Sequence, residues 1–291
     1  MIGLKRGTVA LYPHETEWEN EAARTIKKLR SVLGEIAADI QHIGSTAVKS
    51  ICAKPIIDIA VGVRSFDEAM KKKADLENNG FFFRNSNIQN QLLFACGSLY
   101  DGTGDMQTHF IHVVVYGSRE WQDYLLVRDH LNSNAQAAKE YEALKLRLAA
   151  ECPVDSGREH YLAGKHDFIL SLIRNALIEK YLGQTVKIEI DRPIGYIHKK
   201  ENYTLVYPVN YGFIPGVYGG DGEELDVYLL GVNQPVAEYT GKVIGAVLRK
   251  NDLEDKLVAV PEESSFTADE VYEMVKFQEQ WYETEIKLIL S

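Results

Sequence analysis

At Gly183-Gln184 the chain changes its period. Before that point, long segments carry apolar residues at helical spacing between a few apolar runs; after it, Val186 to Ile190 opens a series of short segments that alternate with period two. A switch of this kind divides 291 residues into two parts, each long enough to bury a core of its own. The expected domains are residues 1–182 and residues 183–291. The fold class expected is α+β: a mixed sheet covered by helices, then a small β-barrel with one C-terminal helix.

Composition narrows the functional classes. Apolar residues make up 45% and charged residues 25%, the balance of a soluble globular protein. No apolar run has the length of a membrane span, and Met1 to Ala10 lacks the apolar centre of a signal peptide. Cys52, Cys96 and Cys152 are odd in number and form no CxxC pair, so they read as reduced packing residues. A cytoplasmic location with no membrane partner is expected; no feature sets an oligomeric state. The net charge of −10 is uneven, with 22 basic against 23 acidic residues in 1–182 and 10 against 19 in 183–291. That acidic bias speaks against nucleic acid as a ligand. It suits a site that takes up a cation first and a phosphate compound as its metal complex.

In the first part, Val9 to Leu11 reads as a short strand, and Thr16 with Glu19 as a capping box for a helix carrying Trp18, Ala22, Ile26, Leu29 and Leu33. Strands are expected over 36–43 and 56–63, separated by His42-Ile43-Gly44-Ser45-Thr46. Ser65 with Glu68 caps a helix to Asn79, strands follow over 90–97 and 107–116, and helices start near Ser118, Asn134 and Ser156. A Gly-Ser turn after one strand with an acid, Asp58, on the next is the arrangement of a nucleotidyltransferase fold. Gly44 and Ser45 would let a triphosphate reach backbone N–H groups, and Asp58 would bind metal and act in catalysis. Lys54, Arg128, Lys145 and Lys165 are candidate phosphate-facing cations, or else solvated charges. His109 and His112, three apart on a strand, fall on opposite faces, one towards the site and one into the core.

HIGSTAV, AKPIIDIAVGV, Thr108-His109-Phe110-Ile111-His112-Val113, Arg128-Asp129-His130-Leu131 and Tyr161 with Lys165 and Phe168 resemble the GrpB family, a group of nucleotidyltransferase-like proteins of uncertain substrate, over residues 5–175. Nucleotidyltransferases carry a second acid two residues after the first. Here Ala60 stands there, so further metal ligands would have to come from elsewhere.

In the second part, Asp221, Glu223 and Asp226 fall within six residues behind Gly219-Gly220, ahead of the apolar run Val227 to Leu230. Hard divalent cations favour such carboxylates, and Tyr207, Asn210 and Tyr211 supply neutral donors that could face phosphate. An acidic turn between two strands is the plainer reading. His198 to Lys200 reads as a loop, and Thr267 with Glu270 caps a last helix carrying Val271, Met274, Val275, Phe277 and Trp281.

The run Tyr207-Pro208-Val209-Asn210-Tyr211-Gly212 followed by Asp221-Gly222-Glu223-Glu224-Leu225-Asp226-Val227 resembles soluble inorganic pyrophosphatases. The resemblance implies Mg²⁺ or Mn²⁺ held by Asp221, Asp226, Asp252 and Glu254. It assigns Glu223 and Asp226 catalytic roles, Glu223 orienting or deprotonating water, and makes Lys199, Tyr211 and Lys256 phosphate ligands. Two departures thin the phosphate half: no arginine lies between Lys199 and Tyr207, and Trp281-Tyr282 stands where that family keeps Tyr-Lys. The reading that results is metal-dependent phosphate chemistry, a nucleotidyltransferase-like domain fused to a divergent Mg²⁺-dependent pyrophosphatase. The alternative is a nucleotide or polyphosphate sensor with little turnover.

Overall fold

The computed structural model of the chain describes residues 1–84, 89–153, 157–200, 203–252 and 254–289. Two compact units are present, Met1–Leu172 and Ile173–Ser291.

The first unit runs β1 (Leu4–Lys5), α1 (Thr16–Leu33), β2 (Ala37–Ile43), β3 (Ile57–Val63), α2 (Phe66–Lys71), α3 (Lys73–Asn78), β4 (Phe82–Arg84), β5 (Leu92–Cys96), α4 (Ser98–Asp101), β6 (Met106–Gln107), β7 (His109–Val115), α5 (Arg119–Ser133), α6 (Ala135–Glu151) and α7 (Arg158–Tyr181). Its five-stranded sheet has the order β2-β3-β7-β5-β4, with β3 and β7 parallel and the other pairs antiparallel.

The two faces of the sheet follow from the period-two alternation of β3. Ile57, Ile59, Val61 and Val63 are buried in one core with Trp18, Ala22 and Leu29 of α1. Ala60 packs on the opposite side with Ile43, Val114 and Trp121 of α5. Asp58 shares a parity with Ala60 and so lies on the α5 side.

Several expected ends move. Val9 to Leu11 is not a strand; the chain pairs at Leu4–Lys5 and makes one further bridge, Tyr12 to Ala53. The cap of α1 is Glu15, without a side-chain hydrogen bond, so the Thr16–Glu19 capping box does not form. Ser65, Ser118 and Asn134 do cap their helices through Glu68, Trp121 and Ala137 N–H. The cap expected at Ser156 lies outside the described residues.

The second unit continues with β8 (Thr185–Arg192), β9 (Ile197–Lys200), β10 (Tyr203–Val206), β11 (Asn210–Tyr218), β12 (Glu224–Leu229), β13 (Glu238–Arg249), β14 (Lys256–Val260), α8 (Ala268–Glu279) and β15 (Thr284–Leu288). The order β14-β12-β11-β8-β13, closed by pairing of β13 with β14, makes a five-stranded barrel, and β15 adds to β13 from outside. Closure removes the sheet edges that an open five-stranded sheet would expose. Val271 and Val275 of α8 pack on Tyr211, Tyr228, Val247 and Val258 of the barrel. The Thr267–Glu270 capping box is complete.

His198 to Lys200 is a strand of the β9–β10 ribbon, not a loop. Trp281 lies past the end of α8 and is 76% exposed, so it is no part of that helix's apolar face. The division between the units falls within α7, before Gly183. Arg174 of α7 already belongs to the second unit, where its guanidinium holds the Asp255 carboxylate and the Arg249 carbonyl oxygen. Among the described residues no helix is long and apolar enough to cross a membrane.

Candidate functional site

In the first unit a cleft of about 300 Å³ is lined by Asp58, His112, Ser45, Lys54, Arg158 and Lys165 among others. Gly44 carries φ +69°, and a Cβ there would stand 2.6 Å from Asp58 Oδ2. The glycine is needed both for its left-handed backbone and because its Cα rests on the carboxylate. His112 on β7 reaches across to Asp58, Nε2 to Oδ1 3.3 Å. Its Nδ1 faces Tyr124 Oη at 3.2 Å and Gln91 Oε1 at 3.3 Å, while Tyr124 donates its own hydrogen to Gln91 Oε1 at 2.6 Å. An ionised carboxylate can only accept, so the contact to Asp58 is made with the hydrogen on Nε2. His109 takes the other face, buried against Thr25 Oγ1 (3.2 Å) and Glu21 Oε1 (3.3 Å).

Lys54 and Lys165 lie over the same Tyr161 ring, at 4.4 and 4.8 Å. Burial, then Lys165 and Arg158, push the Lys54 ammonium down to about 8. The other two candidate cations are placed elsewhere. Arg128 donates to Gln41 Oε1 (2.9 Å) and the His42 carbonyl (3.1 Å) along β2. Lys145 is buried, donating to the Cys52 carbonyl beneath the Tyr141 ring, and burial lowers it to about 7. Ser45 Oγ stands 3.5 Å from Tyr141 Oη.

In the second unit the centre is Lys256, fully buried at the head of β14. Its three N–H donors go to Tyr211 Oη (2.7 Å), Asp226 Oδ2 (2.8 Å) and Glu254 Oε1 (2.6 Å). Beside it the buried Arg249 donates to Glu279 twice, at 2.8 Å each, to Glu254 Oε2 at 2.7 Å and to Asp252 Oδ2 at 3.2 Å. Burial opposes the Arg249 charge, but Glu279 and Glu254 more than offset that and raise its pKa. Tyr228 closes the network by donating to Glu279 Oε1 at 2.6 Å. Burial, and then Asp226, hold the Tyr211 phenol well above its usual range.

This places the sequence candidates in three groups. Asp226, Asp252, Glu254, Lys256 and Tyr211 come together. Asp221 and Glu223 stay in the β11–β12 turn, where Glu223 N–H donates to Asp221 Oδ1 at 3.1 Å; among the described residues neither side chain joins the Lys256–Arg249 network. Lys199 is exposed on β9, and its neighbour His198 lines the adjoining cleft instead, because successive strand residues face opposite ways. The neutral donors turn inward as well. Asn210 is buried and holds the Val232 and Gln234 carbonyls, while Tyr207 accepts from Arg192 at 3.0 Å. Gly212 permits β11 to approach β8: a Cβ would meet the Glu189 carbonyl oxygen at 1.8 Å.

Sequence reasoning missed Arg249 and Glu279. One signal was present: Arg249 lies two residues after Val247 at the end of β13 and so shares its face, which is buried under α8. Among the described residues, no three His, Cys, Asp or Glu side chains form a ready-made metal cage. The donor chemistry nevertheless suits a hard divalent cation. Asp226, Asp252, Glu254 and Glu279 gather around Lys256 and Arg249, and the partly exposed Asp226 and Asp252 present the carboxylate oxygens that such a cation takes.

Comparison with known proteins matches both units. Residues 8–175 match the family model described as GrpB protein, and residues 176–287 match that described as inorganic pyrophosphatase. The glutamate-rich protein GrpB of Alkalihalophilus pseudofirmus is 36% identical over 170 residues, covering 58% of this chain and 96% of that one. The crystal structure of the conserved protein GrpB from Enterococcus faecalis superposes with a TM-score of 0.53 at 26% identity, over 59% of this chain and 99% of that one. Soluble inorganic pyrophosphatase 2 of Chlamydomonas reinhardtii is 36% identical over 104 residues, 32% of this chain; the match spans about half of that protein, 54%. The chain belongs to the GrpB family, with an inorganic pyrophosphatase domain following its GrpB domain.

Proposed function

We propose that this chain performs metal-dependent phosphate chemistry: the barrel hydrolyses pyrophosphate, and the cleft of the GrpB domain binds a nucleotide. The observation that carries the reading is the Lys256 node, which ties Asp226, Glu254 and Tyr211 together inside the segment matching the inorganic pyrophosphatase model. Asp226, Asp252 and Glu254, with Asp221 from the turn, would hold Mg²⁺ or Mn²⁺, which supplies an activated water and polarises a phosphoryl oxygen. Lys256 and Tyr211 are too deeply buried to meet phosphate directly. They act as positioning residues, fixing the orientation of Asp226 and Glu254. Glu223, exposed in the turn, would orient the water from outside this network.

In the GrpB domain, Lys54, Arg158 and Lys165 crowd positive charge around Asp58 and His112, and a phosphate chain would relieve that crowding. The Asp58–His112 pair could hold or move a proton at that point. Residues 1–182 and 183–291 would serve as the two working domains, in a cytoplasmic protein.

A sensor without turnover is the second reading, favoured by the full occupancy of the Lys256 donors and by Ala60. Phosphate release from pyrophosphate by the full chain, with and without Mg²⁺, separates the two readings. Titration of the same chain with ATP, CTP, GTP and UTP tests the GrpB cleft.

A further inference from the structure

Beside the Lys256 node the second unit holds a cleft of about 730 Å³, several times what bare pyrophosphate fills, and its lining is graded from inside to outside. At its inner end lie Glu254, which also binds Lys256, the buried Tyr207, and Arg192. The Arg192 guanidinium donates to Tyr207 Oη at 3.0 Å, pairs through Nε with Asp191 Oδ2 at 3.5 Å and lies 5.0 Å from the centre of the Tyr211 ring. One wall is set by Tyr282, whose ring stacks 3.6 Å from the Arg249 guanidinium. At the mouth stand two aromatic side chains with large solvent-facing surfaces, Trp281, 76% exposed, and Tyr203, 50% exposed.

We propose that this cleft takes a nucleoside diphosphate or triphosphate, with the phosphates at Arg192 and the acid cluster and the base stacked at the mouth on Trp281 and Tyr203. The inference rests on the reading of the barrel as a phosphate site. Charge and polarity are arranged along the cleft as they are along a nucleotide: a guanidinium suited to phosphate oxygens inside, flat apolar rings outside. Rings of this kind bind any base, because every base has a π-face. Pyrophosphate alone would leave the aromatic mouth without a ligand.

Trp281 is also the reporter. Trp18 and Trp121, the other two tryptophans, are 0% and 5% exposed in the first unit, so ligand-dependent change in exposed tryptophan emission reads the barrel cleft alone. Full-length protein titrated with ADP in Mg²⁺ should show quenching of that emission, saturable and absent with pyrophosphate. Tyr203→Ala, an exposed change that keeps the reporter, should weaken ADP about tenfold. Trp281→Leu should remove the signal. Unchanged emission on addition of ADP, or a Tyr203→Ala titration superimposable on wild type, overturns the proposal. Phosphate release from pyrophosphate without ADP quenching overturns it while leaving the hydrolase reading standing. Quenching without any release supports it and overturns the hydrolase reading.

Discussion

Arg249 and Glu279 form a two-pronged ion pair that solvent does not reach, Nε to Oε2 and Nη2 to Oε1 each at 2.8 Å, with both side chains 0% exposed. The pair fastens the end of β13 to the end of α8. It also supports the functional cluster, since the same guanidinium holds Asp252 and Glu254. Arg249→Met strands Glu279 as a buried charge and should cost about 3–5 kcal/mol of unfolding free energy, measured as a lowered urea midpoint. Arg249→Met combined with Glu279→Leu should recover much of that loss, because neither charge is then left alone.

Gly44 and Asp58 form a second close contact, between a turn and a strand. The Gly44 φ of +69° is a left-handed conformation, and a Cβ would press on Asp58 Oδ2 at 2.6 Å. A larger residue here would do more than crowd a phosphate out of the turn, because it would also press on Asp58. Gly44→Ala should displace the Asp58 carboxylate and lower stability by about 1–3 kcal/mol. Nucleotide binding to the GrpB cleft, measured by calorimetry on the full chain, should fall at the same time. Unchanged binding in a folded Gly44→Ala protein would remove Asp58 from the ligand site.

Lys54 gives the GrpB cleft a pH dependence. Burial lowers it to about 8 from the ordinary 10.5. The folded chain therefore binds the proton less tightly than the unfolded chain, so the penalty for keeping Lys54 charged is present below about pH 8 and is relieved as pH rises from there towards 10.5. Ligand binding runs the opposite way. An anion needs the ammonium form, so affinity should be full below about pH 8 and decline as pH rises through it. Binding at pH 8.5 should take up a proton, seen as a calorimetric heat that changes with the buffer's ionisation enthalpy. Lys54→Met should abolish that uptake.

Much of the architecture was legible because periodicity survives in each element. The alternation of β3 separated core residues from Asp58, and Thr267 with Glu270 announced α8. The sites were harder, since a motif gives residue types without their partners. Tyr207, Asn210 and Tyr211 read as neutral donors that could face phosphate, within a run that ends at Gly212. Within the fold Tyr207 accepts from Arg192, Asn210 holds two loop carbonyls and Tyr211 accepts from Lys256, while Gly212 lets two strands meet. The Arg249–Glu279 contact joins residues thirty positions apart, and no local pattern pairs them. Thr16 failed as a cap because the helix begins one residue earlier than the box requires, with Glu15 at the N-cap.

On the proposed function, the Lys256-centred acids of the barrel turn over pyrophosphate. Phosphate release by purified full-length protein at matched Mg²⁺ tests it most directly, comparing wild type with Asp226→Asn and with Glu223→Gln, whose exposed side chain can change without disturbing the core. Wild type should show slow, Mg²⁺-dependent release. Asp226→Asn should reduce it by about a hundredfold or more, as expected when about 3 kcal/mol of transition-state stabilisation is lost. Glu223→Gln should also reduce it. Wild-type release no greater than that of Asp226→Asn would contradict the claim and make the barrel a binding domain.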